Sequence, residues 1–196
     1  NFIGIFNKND LTKSILDEIN PKYFFFTHWS YIIPEEIFLN YDCVVFHMTD
    51  LPFGRGGSPL QNLILGGYSK TKVSALKVIK EIDAGPIYAK KDLDLSGNAQ
   101  EIYERASKVC EKIIIEMTTK NMKPTPQTGD PTYFERRSPS QSNLKDATNL
   151  DEIYNMVRML DADGYPKAFL ELKDFKVEFS DCEIKDGTLK ATANFK

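Results

Sequence analysis

The chain has 196 residues, 41% hydrophobic and 27% charged, with a formal net charge of -3. That mixture suits one folded domain, or one with a small appendage, and excludes a disordered or fibrous chain. Both charge signs are interspersed, which argues against a long basic stripe for a nucleic-acid backbone. No apolar run reaches the length of a membrane span, and no charged-then-apolar leader opens the sequence. Cys43, Cys110 and Cys182 are far apart, odd in number and fit no metal-ligand or CxxC spacing, so a reducing cytoplasm and no metal site are expected. Asn1 is not Met, which fits a start inside a longer natural sequence or behind a tag.

Residues 2–6 are a short apolar and aromatic run that reads as a buried strand. Leu11, Ile15, Leu16 and Ile19 then recur at helical spacing, residues 23–26 read as a second strand, and Pro34 opens a short helix with Glu35 and Glu36 in its first turn. A third strand covers residues 43–46. Residues 49–59 carry three glycines and form a loop, residues 60–65 a helix stopped by Gly66 and Gly67, and residues 73–82 a strand broken by Asp83-Ala84-Gly85-Pro86. Extended structure resumes at Ile87 and at residues 93–95. The helix over residues 99–119 is the clearest in the chain, with Ile102, Val109, Ile113 and Met117 on one face.

Residues 124–149 are rich in Pro, Thr, Ser and Gln and read as an extended linker or flap. Ile153, Met156, Val157 and Leu160 then mark an amphipathic helix, followed by small strands over 175–179, 182–184 and 189–195 with a hairpin turn at Asp186-Gly187. Alternating strands and helices imply parallel βαβ units, whose reactive groups lie at the carboxyl edge of the sheet.

His47 stands at that edge, in Phe46-His47-Met48-Thr49-Asp50-Leu51-Pro52-Phe53-Gly54-Arg55-Gly56. An imidazole there can accept or donate a proton near neutral pH, and glycines beside it let a ligand approach the backbone. Asp83, before a sharp turn, can aim a carboxylate into the same cleft and fix the imidazole tautomer. The plain alternatives are a loop histidine with a structural hydrogen bond and a turn aspartate bonded to its own backbone.

These residues resemble the 10-formyltetrahydrofolate-dependent formyltransferases, which include methionyl-tRNA and nucleotide-sugar enzymes. His47, Leu51, Pro52, Arg55 and Gly56 match a motif like N-x-H-x-S-L-L-P-x-x-R-G, Asp83-Ala84-Gly85 matches D-x-G, and Ser30-Tyr31-Ile32-Ile33-Pro34 is similar to G-x-I-L-P. Arg136-Arg137-Ser138-Pro139 resembles the R-R-x-P of the sugar branch, as does Arg158 followed by Pro166 to Phe169, so the pseudaminic-acid-pathway type of sugar formyltransferase is the branch favoured. The family's Asn, two residues before the histidine, is Val45 here, which removes an oxyanion donor; Asp50, Thr49, Asn62 and His28 are candidate replacements, Asn62 foremost.

The resemblance implies an α/β fold: an abbreviated Rossmann-like formyltransferase core with a parallel sheet (residues 1–123), an extended linker or flap (124–150), and a helix with a small C-terminal β subdomain (151–196). It implies formyl transfer from 10-formyltetrahydrofolate, without metal, to the amine of a nucleotide-linked sugar, taken as a UDP-4-amino-4,6-dideoxy sugar. His47, Asp83 and Asn62 would act on the reacting groups. Ile32, Ile33, Pro34, Leu51, Pro52, Ile82 and Asp83 would frame the pterin. Asp50, Arg55, Arg136, Arg137, Arg158 and Tyr165 would meet the acceptor, the arginine pair on a diphosphate. Neither nucleic acid nor membrane is expected as a partner. The apolar face of Phe175, Val177 and Phe179 fits either a homodimer interface or packing on the preceding helix. The alternatives are a methionyl-tRNA formyltransferase, a formyl-folate hydrolase and an inactive folate-binding module.

Overall fold

A computed structural model describes residues 2–29 and 31–196. Four strands form the central sheet in the order β1-β2-β4-β5: β1 (Phe24–Phe26), β2 (Cys43–His47), β4 (Lys70–Lys77) and β5 (Ile87–Asp94). β1 and β2 are parallel, with Phe24 opposite Cys43, and are joined through the short helix α2 (Glu35–Phe38). β4 then runs antiparallel to β2, with His47 opposite Ser74, and β5 antiparallel to β4. The α/β class therefore holds, with the parallel part confined to one pair and an antiparallel ribbon completing the sheet.

Because strand side chains alternate between faces, β2 feeds two cores. Val44 and Phe46 join the larger cluster with helices α3 (Pro59–Leu65) and α4 (Ala99–Thr119), whereas Cys43 and Val45 join a smaller one with Leu16 of α1 (Lys13–Ile19), Phe26 and Ile37. α4 starts at a reciprocal cap: Asn98 Oδ1 accepts from Glu101 N at 3.0 Å, and Glu101 Oε2 accepts from Asn98 N at 2.9 Å. Its buried face is Ile102, Ala106, Cys110, Ile113 and Met117, a spacing of three and four that lays one stripe over the sheet. Full burial of each Ile or Met contributes up to about 1.5–3 kcal/mol.

Residues 2–6 are not a strand. Phe2, Ile3 and Phe6 are exposed, Gly4 interrupts the run, and no ladder pairs it among the described residues. β4 also stops at Lys77, earlier than the apolar pattern suggested. There Lys77 N–H donates to Pro86 O at 2.9 Å and the chain leaves the sheet, with Ile82 62% exposed.

Residues 124–149, expected as an extended linker or flap, fold back onto the core. Thr125 bridges Ile87 through two backbone hydrogen bonds (2.7 and 2.9 Å), and β6 (Tyr133–Phe134) pairs in parallel with β3 (Arg55–Gly56). Leu144, on a turn of 3-10 helix, is buried in the larger core. Then α5 (Leu150–Arg158), capped by Asn149 Oδ1 accepting from Glu152 N at 2.9 Å, packs with an antiparallel sheet of β7 (Ala168–Glu171), β8 (Lys176–Lys185) and β9 (Thr188–Phe195). The two segments expected at 175–184 are one strand with a bulge between Ser180 and Glu183, where Asp181 takes φ +50°. Asp186 and Gly187 both have positive φ, as a two-residue hairpin of the primed type requires.

Gly85 is fixed by close approach: a Cβ there would lie 1.8 Å from the Lys77 carbonyl oxygen. Gly85→Ala is expected to cost about 1–3 kcal/mol as the turn is pushed off β4. Urea unfolding measures this, and an unchanged midpoint would mean that the turn yields freely.

Candidate active site

β2 ends at His47, whose side chain is on the same face as Cys43 and Val45 and is nine-tenths buried. Its Nε2 lies 2.7 Å from Gly54 O. A carbonyl can only accept, so Nε2 carries the hydrogen. Nδ1 then faces Asp83 Oδ2 at 3.6 Å, the side chains being 8% and 13% exposed. This exceeds an ordinary hydrogen bond, but it sets a carboxylate directly against the second ring nitrogen. Asp83 reaches this position from a turn in which it has φ +53°, a left-handed conformation that Asp tolerates better than most residues. Its Oδ2 also accepts from Gly56 N at 2.9 Å.

The loop between His47 and α3 folds around these two groups. Thr49 is fully buried, its carbonyl accepting from Ser74 Oγ at 2.7 Å. Gly54, whose carbonyl meets His47, has φ +71°, and a Cβ there would come within 2.6 Å of the Phe134 ring, so a side chain would displace the strap. The strap, residues 124–137, closes the loop: Gly54 N donates to Thr132 Oγ1 (2.7 Å), Arg55 N to Thr132 O (2.9 Å) and Gly57 N to Phe134 O (2.9 Å). From the same strap, Gln127 Nε2 donates to Asp83 O and Gly85 O, both at 2.8 Å, and its Oε1 accepts from Arg55. None of these strap residues was expected at the site. The one sequence signal was Thr132-Tyr133-Phe134, a β-branched and aromatic triplet inside a proline-rich stretch.

The remaining expected site residues divide into two groups. Ile82 is exposed and adjacent in sequence to Asp83; Pro52 is half-buried, with its carbonyl accepting from Thr132 N at 3.2 Å, and Leu51 is fully buried. Asp50 forms ion pairs with Lys90 (2.6 Å) and Lys72 (3.2 Å), while Arg55 spends Nε and Nη2 on Gln127. The backbone of Arg136 packs on Gly57, and Arg137 N donates to Ser58 Oγ at 3.0 Å, so the arginine pair lies against the same loop.

Asn62 needs correction. Its Nδ2 lies 3.0 Å from Gly57 O, 3.0 Å from Ser58 O and 3.1 Å from Glu135 O, so its donors are spent on backbone carbonyls and not free for an oxyanion. Arg158 donates through Nη1 to Leu95 O and Gly97 O (2.7 and 2.8 Å), ties α5 to the turn before α4, and has its pKa lowered by burial. Arg137 donates to Gln141 O at 2.7 Å, again with burial lowering its pKa. Tyr165 stacks on Tyr103 at 5.3 Å, and His28 bonds Ser107 Oγ at 3.2 Å. Ile32 is exposed, Ile33 packs on the smaller core, and Pro34 precedes α2; Ser30 of that motif lies outside the described residues. Among the described residues, no group of three or more His, Cys, Asp or Glu is placed to hold a metal, and no helix is long and apolar enough to cross a membrane.

Comparison with known proteins decides the family. A profile described as "Methionyl-tRNA formyltransferase, C-terminal domain" matches residues 139–196. The solved methionyl-tRNA formyltransferase from Clostridium thermocellum is 51% identical, with a TM-score of 0.96, over 98% of this chain and 85% of that one. The chain belongs to the methionyl-tRNA formyltransferase family. A further relative, methionyl-tRNA formyltransferase of Thermodesulfovibrio yellowstonii, is 29% identical over 92% of this chain and 60% of its own length. The chain spans about three fifths of the length of the curated relatives it matches. A 4-N formyltransferase from Francisella tularensis is 14% identical with a TM-score of 0.64, over 88% of this chain and 70% of its own, a likeness of fold alone. These findings overturn the expected nucleotide-sugar acceptor and the expected lack of a nucleic-acid partner. Of the matches that suggested the sugar branch, Arg158 is spent on the Leu95 and Gly97 carbonyls, and Ala168 and Phe169 lie in strand β7.

The Asp50 cluster yields a pH prediction. Burial alone would raise its pKa, but hydrogen bonds and charges from Lys90 and Lys72 outweigh burial and hold the carboxyl below its ordinary 3.8. A lowered folded-state pKa adds stability that is complete above the unfolded value and is lost as pH falls through the folded one. The side chain is 46% exposed, so Asp50→Asn is expected to cost at most about 1 kcal/mol at pH 7. That difference from the native protein should fade as pH drops below 3.8; a constant difference across pH in thermal melts would contradict the ion-pair account.

Proposed function

We propose that this chain carries the catalytic centre of a methionyl-tRNA formyltransferase, moving the formyl group of 10-formyltetrahydrofolate to the amine of methionyl-tRNA. The observation that carries the formyl-transfer reading is the His47–Asp83 pair, 3.6 Å apart at the end of β2. The acceptor rests on the 51% identity to the Clostridium thermocellum protein.

The neutral amine attacks the formyl carbon, a C–N bond forms, and the carbonyl oxygen becomes an oxyanion while the nitrogen becomes cationic. His47 Nε2–H serves the oxygen: in the resting site it donates to the neutral Gly54 carbonyl, and exchange for a charged oxygen strengthens that bond about twofold in the transition state. Asp83, whose Oδ2 faces Nδ1, takes the proton from the attacking nitrogen. Collapse breaks the bond to the folate nitrogen, which leaves with the proton that Asp83 took from the amine. Exposed, apolar Ile82, adjacent in sequence to Asp83, suits one face of a flat pterin.

A net charge of -3 is compatible with an RNA acceptor, because the strap sets exposed Arg136 against the site loop whatever the sum over the chain. Formylation of methionyl-tRNA, followed by mass spectrometry of the released aminoacyl group, tests the proposal. His47→Ala and Asp83→Asn should each lower the rate by about 10²–10⁴ with unchanged circular dichroism. Product at the native rate from both variants would sink it.

A further inference from the structure

The side-chain amide of Gln127 has all four of its hydrogen-bonding positions in use. Nε2 donates to Asp83 O and Gly85 O at 2.8 Å each, and Oε1 accepts from Arg55 Nε (3.2 Å) and Nη2 (2.8 Å). Its orientation is therefore determined by chemistry: turned over, the amide would set its oxygen against two carbonyls and its NH₂ against a guanidinium. Arg55 is followed by Gly56, whose N–H donates to Asp83 Oδ2 at 2.9 Å. Gln127 thus grips both ends of the bond that aims the carboxylate, through Arg55 on one side and the Asp83 carbonyl on the other. The ring closes as Gln127, Arg55, Gly56, Asp83 and back to Gln127.

Asp83 needs such a hold. Its φ of +53° is a conformation that L residues adopt at a cost, and the oxygen held by Gly56 is the one that faces His47 Nδ1. We infer that Gln127 is a positioning residue for this centre: it fixes the Asp83 carboxylate against the His47 imidazole from the strap, without touching a reacting group. The inference rests on the formyl-transfer reading for its kinetic consequence, and on His47 itself for a consequence independent of that reading.

Gln127→Glu separates positioning from mere attachment of the strap. A glutamate keeps, and strengthens, the acceptor for Arg55, so the strap stays docked; it loses both donors and turns a carboxylate on the Asp83 and Gly85 carbonyls. Gln127→Met, of similar length, removes both functions and is read in the same way if the glutamate variant does not fold. In the intact protein, Gln127→Glu is expected to melt close to the native temperature yet lower kcat about tenfold or more, with KM for 10-formyltetrahydrofolate within about twofold of native. The chain has two histidines, so ¹⁵N NMR in a His28→Gln background reports His47 alone, and its Nδ1 and Nε2 signals should move in the Gln127 variants.

Unmoved His47 signals in a folded Gln127 variant would overturn the inference, whether or not kcat falls, and so would native kcat. If the native protein formylates no methionyl-tRNA, the functional proposal fails, and the positioning role stands or falls on the His47 signals.

Discussion

The backbone pairing between β3 and the strap, Arg55 N to Thr132 O and Gly57 N to Phe134 O, is a small piece of sheet on which the site's geometry depends. The loop after His47 contains glycines and prolines and has little regular structure of its own. A chain of that composition loses much conformational entropy on ordering. Two strap bonds, a third from Gly54 N to Thr132 Oγ1, and the packing of Phe134 against Gly54 and Phe53 hold it in one form. The Gly54 carbonyl that meets His47 and the Gly56 amide that meets Asp83 are thus placed by residues some 75 positions downstream.

The sequence carried part of this plainly. His47 and Asp83 were legible because each sits where an apolar run gives way to turn-forming residues, which marks the reactive edge of a sheet before any contact is known. Helix α4 was legible for a similar reason, one apolar stripe over residues 99–119. Both are local signals. The strap could not be read in that way, since Pro, Thr and Ser in residues 124–149 describe a chain that avoids helix without saying where it goes. Its partners are set by tertiary contact, and a composition argument reads it only as an extended linker or flap.

The charged motifs misled about the acceptor branch for a different reason. Arg136, Arg137 and Arg158 matched short family patterns, but an arginine in a motif is as readily a brace as a ligand. Arg158 donates twice to the carbonyls ahead of α4, and Arg137 donates to Gln141 O. The total charge misled likewise, because a sum over 196 residues does not register that a strap returns Arg136 to the loop beside the site.

Val45 gives the chemistry its constraint. It shares the face of β2 with His47 but packs into the smaller core, so it offers no hydrogen to an oxyanion. Asn62 Nδ2 is committed to carbonyls and Gly56 N to the Asp83 carboxylate. Of the donors at this edge, Nε2–H of His47 is the one whose present acceptor, a neutral carbonyl of a glycine at φ +71°, can be replaced by a stronger one. A donor that already points along its hydrogen bond, and that must exchange a neutral acceptor for a charged one, favours the transition state over the resting site. On the proposed formyl transfer, with Val45 where the family motif has asparagine, the imidazole and the carboxylate behind it would hold both charges of the tetrahedral intermediate, and the accuracy of their alignment would matter correspondingly more.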